Sequence, residues 1–328
     1  MSHKIADLVS DQIAGKVANK VANKLADKRC APNNKFEDGS CYTIESLQKI
    51  ATAFNSLDKN KNNKISISDD KHELLNQLSK KLSECQSCWL RTELVKNMND
   101  DNINDTFRPI GPDGKKDWLS TTEINDVVEQ YQEKYKDFVF LGAVPFDFME
   151  LKMLGIKDLN LDELVKDGKT KIGLIINLDE HDQNGSHWVA LFADLKNKQI
   201  YFFDSVGEEP GKKIKWFVND LTNYIYNREN KENKSLQVGG IMKIINKIKN
   251  KEIKKKYTSI LQDKLSGIDI RYNQKQHQFK DSECGVYSIN FIVRLAGGET
   301  FDEITNNITK DNKMNECRET YFRNVIIK

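Results

Sequence analysis

Apolar positions follow helical spacing over the first part of the chain and strand spacing further on. Between residues 4 and 28, Ile5, Leu8, Val9, Ile13, Val17, Val21 and Leu25 recur at helical intervals with alanines between them, which predicts an amphipathic helix filling 1–29. From Gly15 the tetrads Gly-Lys-Val-Ala, Asn-Lys-Val-Ala and Asn-Lys-Leu-Ala repeat. A period of four drifts around an α-helix by about 40° per repeat, so the apolar stripe winds, followed by Lys16, Lys20, Lys24 and Lys28. Such a helix docks on a membrane surface, on a partner, or on the rest of the protein.

A small helical domain is expected over 30–104, with helices from Tyr42 to Phe54, Lys71 to Leu82 and Trp89 to Met98. The segment Asp58-Lys-Asn-Lys-Asn-Asn-Lys-Ile-Ser66 places oxygen ligands at calcium-loop spacing, with Asp69 at the twelfth position. Asn63 replaces the turn glycine there and Asp69 the bidentate glutamate, while Lys59, Lys61 and Lys64 crowd the loop, so a solvated Asn/Lys loop is the stronger reading.

Gly111-Pro-Asp-Gly114 punctuates the chain, after which the pattern changes. Leu119 to Tyr135 is expected to be helical with Ile124, Val127, Val128 and Tyr131 on one face, and Phe138 to Phe148 is a short apolar segment broken by Gly142 and Pro145. Lys171 to Leu178, His187 to Leu195 and Gln199 to Asp204 read as strands, the last two joined in an antiparallel hairpin by Lys196-Asn-Lys198. A helical, lysine-rich stretch over 207–265 leads to a further strand at Ile268 to Tyr272, and Cys284 to Leu295 is a helix closed by Gly297-Gly298.

Composition narrows the class. The 328 residues are 38% hydrophobic and 30% charged, enough to bury a core, and no apolar run approaches the roughly 20 residues of a membrane span. Fifty-one basic against 49 acidic residues give a charge of +2, so any pull on nucleic acid must be local, as at Lys243 to Lys256. Six cysteines are too few and scattered for a disulfide framework, so reduced thiols are expected, with zinc at Cys30, Cys41, Cys85 and Cys88 a less regular alternative. The opening Met-Ser-His-Lys-Ile-Ala lacks the apolar core of a secretory signal, which points to an intracellular setting or a particle assembled inside a cell.

The hairpin brings His187 and Asp204 to the same end of two strands, the arrangement a base and its orienter need. Cys284 stands where a loop meets an apolar helix, and a helix N-terminus favours thiolate. Singly, each has a plainer reading as a strand-end histidine, a turn carboxylate or a small buried hydrophobe. Together, His187-Trp188, Asp204-Ser205 seventeen residues after the histidine, and Gln278 six residues before Cys284-Gly285 resemble the ubiquitin-like-protein proteases that mature and deconjugate SUMO, and the adenovirus-type processing proteases. Asp117-Trp118-Leu119 ahead of a helix is similar to the Trp-Leu segment that opens the SUMO-protease catalytic domain. Thr121 stands where that family usually has aspartate, and Glu283 where aspartate often precedes the cysteine.

The resemblance implies a papain-like α+β fold, a central mixed sheet flanked by helices, over 105–328, behind the helical N-terminal region. It implies Cys284 as nucleophile, His187 as general base and acid, Asp204 as orienter and Gln278 as oxyanion donor, with no metal or organic cofactor. Trp118 and Trp188 would face each other across a flat tunnel that passes only glycine. The overall plan is similar to the processing proteases of large nucleocytoplasmic DNA viruses, which cut structural polyproteins after Gly-Gly during particle maturation. On that reading the enzyme works in the virion or the host cytoplasm and is not secreted. The competing readings are a deconjugase or acyl transferase using the same triad, and a non-catalytic module that binds a scaffold or nucleic acid through its basic helices.

Overall fold

The computed structural model describes residues 18–229, 238–265 and 267–324. They form two compact units: one contains the chain up to Asp117 together with the segment from Arg318, and the other runs from Trp118 to Cys317.

The second unit is built on a five-stranded sheet in the order β1 (Phe138–Val144), β2 (Lys171–Asn177), β3 (Trp188–Asp194), β4 (Gln199–Phe203), β5 (Asp269–Tyr272). The β1–β2 and β4–β5 pairs are parallel and the two central pairs antiparallel, so the sheet is mixed. Strand β3 is buried along its whole length, as expected of a central strand covered on both faces. On one face Ile172, Leu174, Ile176, Val189, Leu191, Ile200 and Phe202 pack with Ile214, Phe217, Val218, Leu221 and Ile225, side chains of the long helix Lys212–Glu229. On the other, Phe203 stacks on Phe291 at 4.9 Å within the helix Cys284–Ala296. Gly173 permits that approach, since a Cβ there would lie 2.8 Å from the Phe138 ring and 3.0 Å from Ile292.

The hairpin forms as its sequence predicts. Asp194 Oδ1 accepts from the backbone N–H groups of Lys196 and Asn197, closing the turn, and Lys198 takes the left-handed conformation. The helix Thr121–Lys134 starts in a capping box between Ser120 and Glu123 and buries Ile124, Val127, Val128 and Tyr131, the face read from the sequence. Mixed sheet, flanking helices and helical N-terminal region together give the expected α+β class.

In the first unit the helices Ile44–Ser56 and Lys71–Lys81 enclose a core of Tyr42, Leu47, Ile50, Phe54, Leu74, Leu78, Trp89, Val95, Ile103 and Phe107. The helix expected from Trp89 to Met98 is split into a 3₁₀ turn at Ser87–Arg91 and a short helix at Glu93–Lys96. Thr92 between them is extended and caps the second piece through its hydroxyl. Of the expected N-terminal helix, residues 18–26 are helical, with Val21 and Leu25 exposed; Ile5, Leu8, Val9, Ile13 and Val17 lie outside the described residues.

The expectation of reduced thiols fails in this unit. Cys30 is bonded to Cys41 and Cys85 to Cys88, which also removes these four thiols from the zinc reading. In the loop with calcium-type spacing, Asn60 turns inward to donate to the Phe54 carbonyl and Asn63 accepts from Lys81, so both amides are engaged within the fold.

Residues 105–117 pack with this first unit, so the division at 117/118 falls later than the 104/105 boundary read from the sequence. Phe107 belongs to its core, and Asn324 accepts from the Gly111 N–H at 2.8 Å and donates to the Pro112 carbonyl at 2.9 Å.

Candidate active site

His187 immediately precedes β3 and Asp204 immediately follows β4, and the antiparallel register that opposes Ala190 to Phe203 puts both at one end of the hairpin. His187 Nε2 lies 2.7 Å from Asp204 Oδ1, which also accepts from the Val206 N–H at 2.9 Å. The carboxylate is buried, and the end of β4 is anchored by Asn273, whose Nδ2 donates to the Asp204 carbonyl at 2.8 Å. Gly207 serves the same corner: its φ is +90°, and a Cβ would lie 3.0 Å from the backbone at Lys275.

Cys284 also acts on His187, and its nearness is one of the influences that raise the pKa of the ring. Because Nε2 is taken by Asp204, Nδ1 is the nitrogen left for the thiol. Burial disfavours the charged ring, yet the hydrogen bonds and charges of Asp204 and Cys284 outweigh it and push the imidazole pKa up to about 9. His277 behaves in the opposite way, its pKa held down chiefly by burial.

Cys284 is the first residue of its helix, where the backbone N–H groups of the first turn have no intrahelical acceptor and the dipole favours negative charge. Glu283 before it is buried and accepts from Ser282 Oγ at 2.7 Å and from Asn315 at 3.0 Å. Gly285 after it is fixed by close approach: a Cβ would stand 3.1 Å from Leu119. The segment Trp118-Leu119 is thereby held against the start of the Cys284 helix, and the Trp188 indole N–H donates to the Leu119 carbonyl at 2.9 Å.

Gln278 is set by the residue after Asp204. The backbone N–H groups of His277 and Gln278 both donate to the Ser205 carbonyl, and Ser205 Oγ donates to Gln278 Oε1 at 2.6 Å. One N–H of the amide goes to the Lys280 carbonyl, so the side chain keeps one further donor.

Trp118 and Trp188 line one cleft of about 520 Å³ with Leu119, Ala143, Asn177 and His181. Trp188 is 5% exposed and Trp118 48%. The structure thus brings together five of the six residues singled out from the sequence through contacts of Cys284, His187, Asp204, Leu119 and Ser205, and places the sixth, Trp118, on the cleft wall.

Sequence reasoning missed a second histidine and carboxylate. His181 Nδ1 is 2.6 Å from buried Asp147, whose other oxygen accepts from the His181 N–H. The hydrogen bond to Asp147 raises the His181 pKa; burial works against the Asp147 charge, and the bonds to His181 outweigh it. The only sequence signal was the adjacent Asp-Glu-His-Asp run at 179–182, which reads as an ordinary polar loop.

A thiol at a helix start near a carboxylate-oriented imidazole has the groups that thiol hydrolysis needs, and comparison with known proteins specifies the family. A profile for the Ulp1 protease family, C-terminal catalytic domain, matches residues 169–325, a stretch holding His187, Trp188, Asp204, Gln278 and Cys284. A protein of Acanthamoeba polyphaga mimivirus named as a thiol protease is 35% identical over 310 residues, covering 88% of this chain and 90% of its own. A SUMO-1 cysteine protease of African swine fever virus is 24% identical over 236 residues, covering 66% of this chain and 72% of its own. The crystal structure of the African swine fever virus protease superposes with a TM-score of 0.55 at 17% identity, over 90% of this chain and 96% of that one, which shows a common fold. The chain belongs to the Ulp1-type family of cysteine proteases found in large DNA viruses.

Proposed function

We propose that the protein is an endopeptidase that cuts after Gly-Gly in protein substrates, with viral structural polyproteins during virion maturation as its physiological targets. The observation that carries the chemistry is the His187 ring held by Asp204 at 2.7 Å, with Cys284, at the start of a helix, near enough to raise its pKa. In this reading the Cys284 thiolate attacks the scissile carbonyl, forming a C–S bond and a tetrahedral oxyanion. The remaining Gln278 N–H and the first N–H groups of the helix donate to that oxyanion. As the oxyanion collapses, the C–N bond breaks and the His187 imidazolium delivers its proton to the leaving amine. Water then attacks the thioester, His187 takes its proton, and the thiol is released as the peptide acid leaves. Asp204 fixes the ring so that the same nitrogen serves both steps.

Selection for glycine is supported by the cleft. Trp188 is locked by its bond to Leu119 and lines that cleft with Trp118, the two indoles that the family resemblance assigns to the passage of glycine. The second reading is release of SUMO-like modifiers, favoured by the name of the African swine fever virus relatives. A pair of otherwise identical fusion proteins bearing Gly-Gly or Ala-Ala at the junction tests the proposal. Cleavage of the Gly-Gly fusion alone, lost in Cys284→Ala, is expected. Equal cleavage of both overturns the glycine specificity, and retained cleavage by Cys284→Ala overturns the nucleophile.

A further inference from the structure

The connection between β4 and β5 carries a surface that the peptidase reading does not use. After the long helix Lys212–Glu229 come α1 (Val238–Lys247) and α2 (Lys251–Lys264). These two have their own small core, in which Ile245 and Leu261 are buried with Ile241, Met242 and Leu265 against them. Outside that core, Ile253, Tyr257 and Ile260 of α2 stand at i, i+4 and i+7, on one face, and are 46%, 51% and 42% exposed. Ile244 of α1 is 67% exposed.

Lysines are concentrated on the same two helices. Residues 238–265 contain eight lysines and two acids, Glu252 and Asp263, a charge of 8 − 2 = +6 in a chain whose total is +2. Lys213 and Lys215 of the preceding helix are paired with Glu180 and Glu209. Among the described residues, by contrast, no ion pair engages Lys243, Lys247, Lys249, Lys251, Lys254, Lys255 or Lys256. No described helix is long and apolar enough to cross a membrane.

An exposed apolar stripe on a helix whose lysines make no ion pair among the described residues suits a helix that lies in the plane of a bilayer, and anionic lipid satisfies both halves of it. Three of the four exposed apolar side chains are isoleucines, which give no ring on which a base stacks, so nucleic acid accounts for the lysines and leaves the stripe unexplained. We infer that α1 and α2 form a docking surface for an anionic membrane, with Ile253, Tyr257 and Ile260 entering the headgroup boundary and the lysines meeting lipid phosphates.

The test is flotation of the full-length protein with vesicles of phosphatidylcholine alone or mixed with phosphatidylserine. Binding to the mixed vesicles only, weakened by added salt, is expected. The variant Ile253→Ser/Tyr257→Ser/Ile260→Ser, whose changes are all exposed, should lose binding by roughly tenfold or more while keeping its circular dichroism and its peptidase activity. Lys254→Glu/Lys255→Glu/Lys256→Glu should lose it as well. Every variant retains the N-terminal helix, so a loss belongs to α2. Failure to bind mixed vesicles, or undiminished binding by the serine variant, overturns the proposal. So does tight binding to a single-stranded oligonucleotide that displaces vesicles and survives the serine changes, which would assign the lysines to nucleic acid.

Discussion

His187 is the residue whose chemistry is most strongly set by its surroundings. Its pKa near 9 lies above the ordinary value of 6.5, so the folded protein holds this proton more tightly than the unfolded chain does. The resulting contribution to stability is complete below about pH 6.5 and is lost as pH rises through about 9. On the proposed mechanism the same shift governs turnover, because expulsion of the amine needs the imidazolium. The alkaline limb of kcat/KM should therefore fall near pH 9. In Asp204→Asn the ring loses a charged partner, and the limb should move to lower pH with kcat reduced by at least ~100-fold. A pH-rate profile of both proteins measures this, and a limb unmoved by the substitution would assign it to another group. Cys317, the second free thiol among the described residues, has its pKa raised chiefly by burial, which disfavours its thiolate.

At the scale of elements, the hairpin of β3 and β4 is what converts a separation of seventeen residues into a hydrogen bond. Its turn depends on Asp194, which accepts from two backbone N–H groups and from the Asn197 side chain. Asp194→Ala removes the acceptor that closes the turn, and since Lys196 and Asn197 are exposed their donors pass to water, so the change should cost about 0.5–1.5 kcal/mol of stability, seen as a lower midpoint in urea. A midpoint equal to wild type would show that the turn forms without it. The hairpin was legible because both strands are bounded by turn residues, and the helix at Cys284 because its apolar run starts abruptly and ends at two glycines. The parallel pairing of β1 with β2 was not, since local spacing carries no information about which distant strand lies alongside. Nor was the break at Thr92, where one capping hydroxyl outweighs an apolar periodicity that runs straight through it. The His181–Asp147 pair escaped for the same reason as β1: its members are 34 residues apart and meet only through tertiary packing.

For the whole molecule, the summed charge concealed the organisation. A total of +2 is composed of +6 over 238–265 and −4 over the remainder, so the basic surface becomes visible only when the charge is divided by element. Cysteine chemistry divides in a similar way between the two units. Four thiols are joined in pairs in the first, while Cys284 and Cys317 of the second are free. Counting cysteines along the chain could not reveal this, because Cys30 and Cys41 approach to a Cα separation of 5.3 Å only once their unit folds. Alkylation of the unreduced, denatured protein should therefore modify the two free thiols alone. Modification of all six would return the chain to the reduced state expected from its composition.

The most direct test of the central claim is reaction of the full-length protein with a Gly-Gly peptide bearing a C-terminal vinyl ester, followed by mass-spectrometric mapping of the adduct. A Cys284 nucleophile with glycine selectivity predicts a single adduct at Cys284, none at Cys317, loss of labelling in His187→Ala, and little labelling by an Ala-Ala probe. Equal labelling of both free cysteines, or labelling of Cys284 that persists without His187, would contradict it.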